Sequence, residues 1–307
     1  MKRFSKALAV LLVCASALAF AQSGPIRVGS KQFTESIVLA QLMIKALENA
    51  GYTVTDQTPL GGSDVNRAAL LSGEIDAYPE YTGTALGNYL INEGVEVPEG
   101  LSQTTQESYE FVRDYDAENN QLTWLEPAPA NNTYAFAVTQ AFAEENGLTT
   151  VADFAGYVSG GAEVMMATGD EFAQRPDGLA AFESHYGFDL TDDQLLIIAG
   201  GSPAQTEQAL NEGANGVNVA MAFATDGALS AYNFTVLEDP EGAQPVFQPT
   251  PVFRAEVIEA NADIPEILNP IFATLDNATL QELNAQVDVD GESPAAVAET
   301  YLQSLGE

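Results

Sequence analysis

The sequence predicts an α/β protein built from two lobes. Short β-rich segments alternate with helical ones, the extended run Pro127-Ala128-Pro129-Ala130 interrupts the alternation, and it begins again at Tyr134. With 307 residues, 46% of them hydrophobic, the chain is long enough to give each lobe a core of its own.

In order along the chain, Ile26-Arg27-Val28 reads as a first strand. The stretch from Glu35 to Asn49 carries Leu39, Leu42, Met43, Ala46 and Leu47 on one helical face and is closed by Gly51. Tyr52 to Thr55 reads as the next strand, Gly61-Gly62-Ser63 as a turn into a short helix with Val65, Ala69 and Leu70, and Ile75 to Tyr78 as a third strand. Residues 95–120 are acidic with a helical pattern. After the proline run, strands are predicted at Tyr134 to Val138, Val164 to Ala167, Leu195 to Ile198 and Val217 to Ala222, with a further one near Val236-Leu237. Pro251 to Arg254 and three helical stretches end the chain, and Thr279 to Glu282 fits a capping box. The first crossover between lobes is expected near 130 and the second near 232. This gives residues 25–130 with 233–307 as one lobe and 131–232 as the other.

Residues 1–21 have the makeup of a secretory signal peptide: Lys2, Arg3 and Lys6, an apolar run from Ala7 to Phe20, and small residues at Ala19-Phe20-Ala21. An exported, extracytoplasmic protein is expected. Cys14, the only cysteine, lies within that segment, and Val13 before it disfavours a lipoprotein signal. Across the whole chain 44 acids face 10 Lys and Arg, and loss of the signal would leave seven cations: Arg27, Lys31, Lys45, Arg67, Arg113, Arg175 and Arg254. A chain of formal charge −34 repels nucleic-acid phosphates and anionic membranes but draws in small cations and zwitterions.

Several chemistries lack their residues. One histidine, His185, sits in what reads as a helix end, so His-dependent catalysis and a clustered zinc site are not expected. No glycine-rich phosphate loop follows a strand. Acid pairs such as Asp192-Asp193 are commonplace among 44 carboxylates. No catalytic residue, metal or cofactor is therefore predicted. Aromatic and amide groups offer more: Tyr78-Pro79-Glu80-Tyr81-Thr82-Gly83-Thr84 gathers phenols and hydroxyls at a strand-to-helix junction, and Asn131-Asn132-Thr133-Tyr134 follows the proline run where the chain would cross between lobes.

These residues, with Gly29-Ser30-Lys31-Gln32-Phe33-Thr34-Glu35, Leu60-Gly61-Gly62-Ser63-Asp64 and Ala224-Thr225-Asp226-Gly227, resemble in order the motifs of the substrate-binding proteins of osmoprotectant ABC transporters, from Ile26 to about Leu305. The resemblance implies a bilobal type II periplasmic-binding-protein fold that closes on a quaternary ammonium solute such as glycine betaine, choline, carnitine or proline betaine. By position it implies Tyr81, Tyr134, Phe223 and Phe247 as rings around the ammonium, and Lys31, Thr84 and Arg175 as donors to a carboxylate. Asn132 falls at a polar cleft position, and Asp64 where an acid or amide biases ligand choice. The physics agrees: a trimethylammonium group donates no hydrogen bond and is recognised by enclosure in π faces, each worth roughly 0.5 to 2 kcal/mol. The implied partners are the solute and a membrane permease driven by a separate ATPase, with the protein itself a monomer. A receptor for another small zwitterion such as a polar amino acid, a secreted carboxylate-dependent hydrolase and a ligand-sensing module remain as alternative expectations.

Overall fold

The computed structural model describes residues 24–98 and 100–306. The predicted signal peptide and Cys14 lie outside the described residues. Two five-stranded mixed sheets organise the rest. In the first, β1 (Ile26–Lys31) lies between β2 (Val54–Gly61) and β3 (Ala77–Tyr81), both parallel to it. Strand β10 (Pro249–Arg254) then runs antiparallel between β3 and β4 (Leu122–Trp124). The second sheet repeats the plan: β7 (Leu195–Ile198), β6 (Met166–Gly169) and β8 (Val219–Phe223) are parallel, followed by antiparallel β5 (Tyr134–Thr139) and β9 (Phe234–Leu237). In each sheet the antiparallel strand next to the parallel set, β10 or β5, is the one the chain enters on arriving from the other sheet.

Helix α1 (Thr34–Asn49) joins β1 to β2 and is buried on two sides, with Val38, Leu39, Leu42, Met43 and Leu47 fully covered. One side meets the sheet and the other meets the C-terminal helices Asn277–Asp288 and Pro294–Leu305. Helix α2 (Ser63–Ser72) joins β2 to β3 and ends on Gly73 at φ +75°, a left-handed cap that glycine adopts without strain. Its Ala69 and Leu70 are buried as expected, but Val65 faces solvent.

The crossovers are bonded to each other. Asn132 N donates to Phe247 O at 2.9 Å and Phe247 N to Asn131 Oδ1 at 2.8 Å, so the two chains that link the sheets form one short ribbon. The first crossover, between β4 and β5, carries the proline run. The second does not fall near 232. Residues Phe234 to Thr139 and Leu237 to Phe136 stand in register across β9 and β5, so the chain leaves the second sheet only after 237, through a stretch that carries Pro240, Gly242 and Pro245. Without β9 the outer edge of β5 would be left unpaired. Three further expectations are adjusted. Four helices, not three, follow β10, because Asn261 ends Ala255–Ala260 before Ile264–Phe272 begins. Asp276, whose side chain accepts from Thr279 N, caps Asn277–Asp288 in place of the Thr279 box. Strand β2 runs on to Gly61 instead of stopping near Thr55.

All seven cations of the described residues have acidic partners. Arg27, Arg254, Arg67, Arg113 and Lys45 pair with Asp76, Asp76 and Glu256, Asp116, Asp114 and Glu48 respectively. The Arg67 pair is buried, and Asp116 also accepts from Trp124 Nε1 at 2.7 Å, which makes it a structural knot of the first lobe. Lys31 and Arg175 stand at the cleft.

Candidate functional site

Strands β1 and β3 of the first sheet and β6 and β8 of the second end facing one another, which is where parallel α/β sheets hold ligands. The first lobe brings Lys31, Phe33, Ser63, Tyr81 and Thr84, the second brings Tyr134, Glu171, Phe172, Arg175 and Phe223, and the crossovers supply Asn132 and Phe247.

Aromatic rings form the wall. Tyr134, the first residue of β5, lies 5.0 Å from Phe223, which it faces in the ladder, 5.6 Å from Phe247 and 4.7 Å from Phe172. Phe33 closes the opposite side, 5.0 Å from Phe223 and 5.9 Å from Tyr81. The four rings expected from sequence are thus gathered, and Phe33 and Phe172 join them. Gly83 makes room: a Cβ there would lie 2.7 Å from the Phe247 ring.

Two cations flank the rings, each already held by acids. Lys31 Nζ lies 2.6 Å from Glu80 Oε1, 3.4 Å from Thr84 Oγ1 and 4.9 Å from the centre of the Tyr81 ring. Glu80 is fully buried and accepts from the Tyr78 and Tyr89 phenols at 2.9 and 2.6 Å and from Tyr81 N at 2.7 Å. Arg175 donates to both oxygens of Asp177, to Glu171 Oε1 at 3.1 Å and to Ser63 Oγ at 3.3 Å, and its guanidinium lies over the Tyr134 ring at 5.7 Å.

Glu171 reaches across the cleft. Its Oε1 accepts from Ser63 Oγ at 2.5 Å and its Oε2 from Ser63 N at 3.3 Å, at the first turn of α2, where the helix dipole favours an anion. Burial alone would raise the Glu171 carboxyl, but Lys31, Arg175 and the Ser63 hydroxyl together hold it below its ordinary value. Gln32 Nε2 adds a second bridge, to Gly200 O at 2.9 Å. The lobes are therefore in contact at two points. Asn132 is buried, donates Nδ2 to Glu35 at 2.6 Å, and leaves its Oδ1 without a partner among the described residues.

Asp64 does not join the site. It follows Ser63 in the first turn of α2, where the helical advance of about 100° per residue turns it outward. There it is exposed and accepts from Asn88 Nδ2 at 3.0 Å. Sequence reasoning missed Phe33, Phe172, Ser63 and Glu171 as lining residues. Phe33 lies in the stretch 29–35 and Ser63 beside Asp64, so those motifs held a usable signal; Phe172 and Glu171 had none beyond their nearness to Arg175. His185 sits in the last turn of its helix near Glu241, away from the cleft.

Over residues 24–304 the chain matches the family described as the substrate binding domain of the ABC-type glycine betaine transport system. It is 41% identical over 297 residues to the glycine betaine-binding protein YehZ of Escherichia coli (strain K12), covering 97% of this chain and 96% of that one. It is 33% identical to a glycine-betaine-binding protein of Pseudomonas aeruginosa, covering 95% of this chain and 92% of the relative. The solved structure of apo YehZ superposes with a TM-score of 0.67 at 42% identity, over 92% of this chain and 99% of the other. With its two mixed sheets joined by paired crossovers and an aromatic cleft between them, this chain belongs to the substrate-binding proteins of ABC-type glycine betaine transport systems.

Proposed function

We propose that the two lobes close on a quaternary ammonium compatible solute, of the class of glycine betaine, choline, carnitine and proline betaine, and present it to a membrane permease driven by a separate ATPase. The observation that carries this reading is the ring cluster centred on Tyr134, which draws on both lobes and a crossover and is flanked by Lys31 and Arg175. A methylated ammonium needs enclosure by π faces, and a carboxylate at its other end needs donors; both are at hand in one cleft. Contacts from both lobes exist together only when the lobes are closed, so ligand binding biases a hinge equilibrium. The hydrolase alternative gains no support, because Glu80, Glu171 and Asp177 are each engaged with Lys31 or Arg175. The protein is read as an extracytoplasmic monomer whose work is capture and delivery.

Calorimetry of the chain without its predicted signal peptide, against those four solutes and glutamine, tests the reading. Binding of at least one quaternary ammonium and none of glutamine is expected. The reverse pattern would make the protein a receptor for another zwitterion. In the same titrations Arg175→Ala is expected to weaken glycine betaine by roughly 2 to 4 kcal/mol and choline, which has no carboxylate, by less. Equal losses would assign Arg175 to holding the lobes.

A further inference from the structure

Glu35 lines no part of the cleft, yet it is tied to two residues that do. It sits in the first turn of α1 and is 1% exposed. Its Oε1 accepts from Tyr81 Oη at 2.9 Å and Asn132 Nδ2 at 2.6 Å, and its Oε2 from Thr225 Oγ1 at 2.5 Å and Asn284 Nδ2 at 3.1 Å. These donors come from β3, the first crossover, the turn after β8 and the helix Asn277–Asp288, so one carboxylate joins both lobes and the ribbon between them.

Burial pushes the Glu35 carboxyl above its ordinary value, and the four donors, from Thr225, Tyr81, Asn284 and Asn132, oppose that by filling about four lone-pair sites of the ionised form. An amide nitrogen cannot accept a proton's hydrogen bond, and Asn284 Nδ2 is held toward Glu35 by a second bond, to Thr225 O at 2.9 Å. Among the described residues Glu35 has no ion-pair partner, and Lys31, which lies over the same Tyr81 ring, is taken by Glu80. A buried charge without a counter-ion is costly to the fold. Here its field falls on the aromatic wall. A phenol that donates to a carboxylate becomes richer in electrons, and its ring face attracts a cation more strongly.

Resting on the quaternary ammonium reading above, we propose that Glu35 selects the charge of the ligand: it fixes Tyr81 and Asn132 from behind and supplies a negative charge that favours a positive head group over a neutral one of equal shape. Glu35→Gln tests this. The amide oxygen can still accept from Tyr81 and Asn132 and its nitrogen can donate to a Thr225 hydroxyl turned to accept, so that the charge and the single bond from Asn284 Nδ2 are what is lost. Calorimetry would compare choline with its neutral isostere 3,3-dimethyl-1-butanol on both proteins. The wild type is expected to prefer choline, and Glu35→Gln to weaken choline about tenfold, the scale of one charge at short range behind a screened wall, while leaving the isostere within about twofold. Equal losses for both ligands would make Glu35 a structural residue, and no loss for either would make its charge irrelevant; both outcomes overturn the proposal. Should Glu35→Gln fail to fold, Tyr81→Phe cuts the link to the carboxylate and keeps the ring; it is expected to weaken choline more than the isostere, and equal effects overturn the proposal. A wild type that binds the two ligands alike would instead remove the quaternary ammonium reading itself.

Discussion

A Cβ on Gly83 would meet three atoms of the Phe247 ring within 2.9 Å, and an aromatic ring held by its neighbours cannot yield as a flexible chain end would. Gly83→Ala is therefore expected to push Phe247 off Tyr134 and weaken solute binding about tenfold, as displacement of one cage ring would, with the fold retained in circular dichroism. Unchanged affinity would show that Phe247 is packing and not part of the cage. At this scale the sequence was informative where residues are scarce. Lys31 and Arg175 stood out because cations are rare here, and Tyr81 and Tyr134 because phenols cluster beside turn residues. Glu35 did not stand out, since nothing in a chain with 44 acids marks those that are buried among several donors. Phe33 lay inside the stretch 29–35 with no role of its own, and the fold shows that it turns toward Phe223. Asp64 shows the converse, a residue well placed in sequence that its helix rotates out of the site.

Among elements, the parallel alternation was legible because each strand and helix carries its own periodicity. The place of β9 was not, because pairing of Phe234 to Leu237 with β5 is settled by an open edge about 100 residues earlier and by no local signal. Contacts between elements also create a titration that no segment reveals alone. Glu207, in the helix Pro203–Glu212, is 1% exposed and neither carboxylate oxygen has a hydrogen-bond partner among the described residues. Burial first, and then the charge of Asp288 at the end of its helix, push its carboxyl from 4.5 up to about 8. Asp226, which follows β8, is raised as well, by burial and then by Glu207. A folded-state pKa above the unfolded one means the native state holds the proton more tightly. The stability it contributes is full below about pH 4.5 and is lost as the pH rises through about 8. Glu207→Gln, which keeps the shape without the charge, is expected to melt above the wild type at pH 9, with a gap that narrows toward pH 5. A gap that does not change with pH, or a variant that melts lower at pH 9, would contradict the assignment.

For the molecule as a whole, the surplus of acid is spread over a surface whose cations are all paired, and the two that reach the cleft are balanced by Glu80, Glu171 and Asp177. Such a field favours the approach of cations and zwitterions without identifying any of them. In the proposed reading identification falls to the rings, which the paired Asn132 and Phe247 crossovers help to bring together. Ser63 with Glu171 and Gln32 with Gly200 then bridge the lobes. Capture by hinge closure is the central claim, and small-angle scattering of the protein with and without saturating glycine betaine tests it most directly. Closure predicts a smaller radius of gyration with ligand. An unchanged profile at concentrations where calorimetry shows the site filled would contradict it.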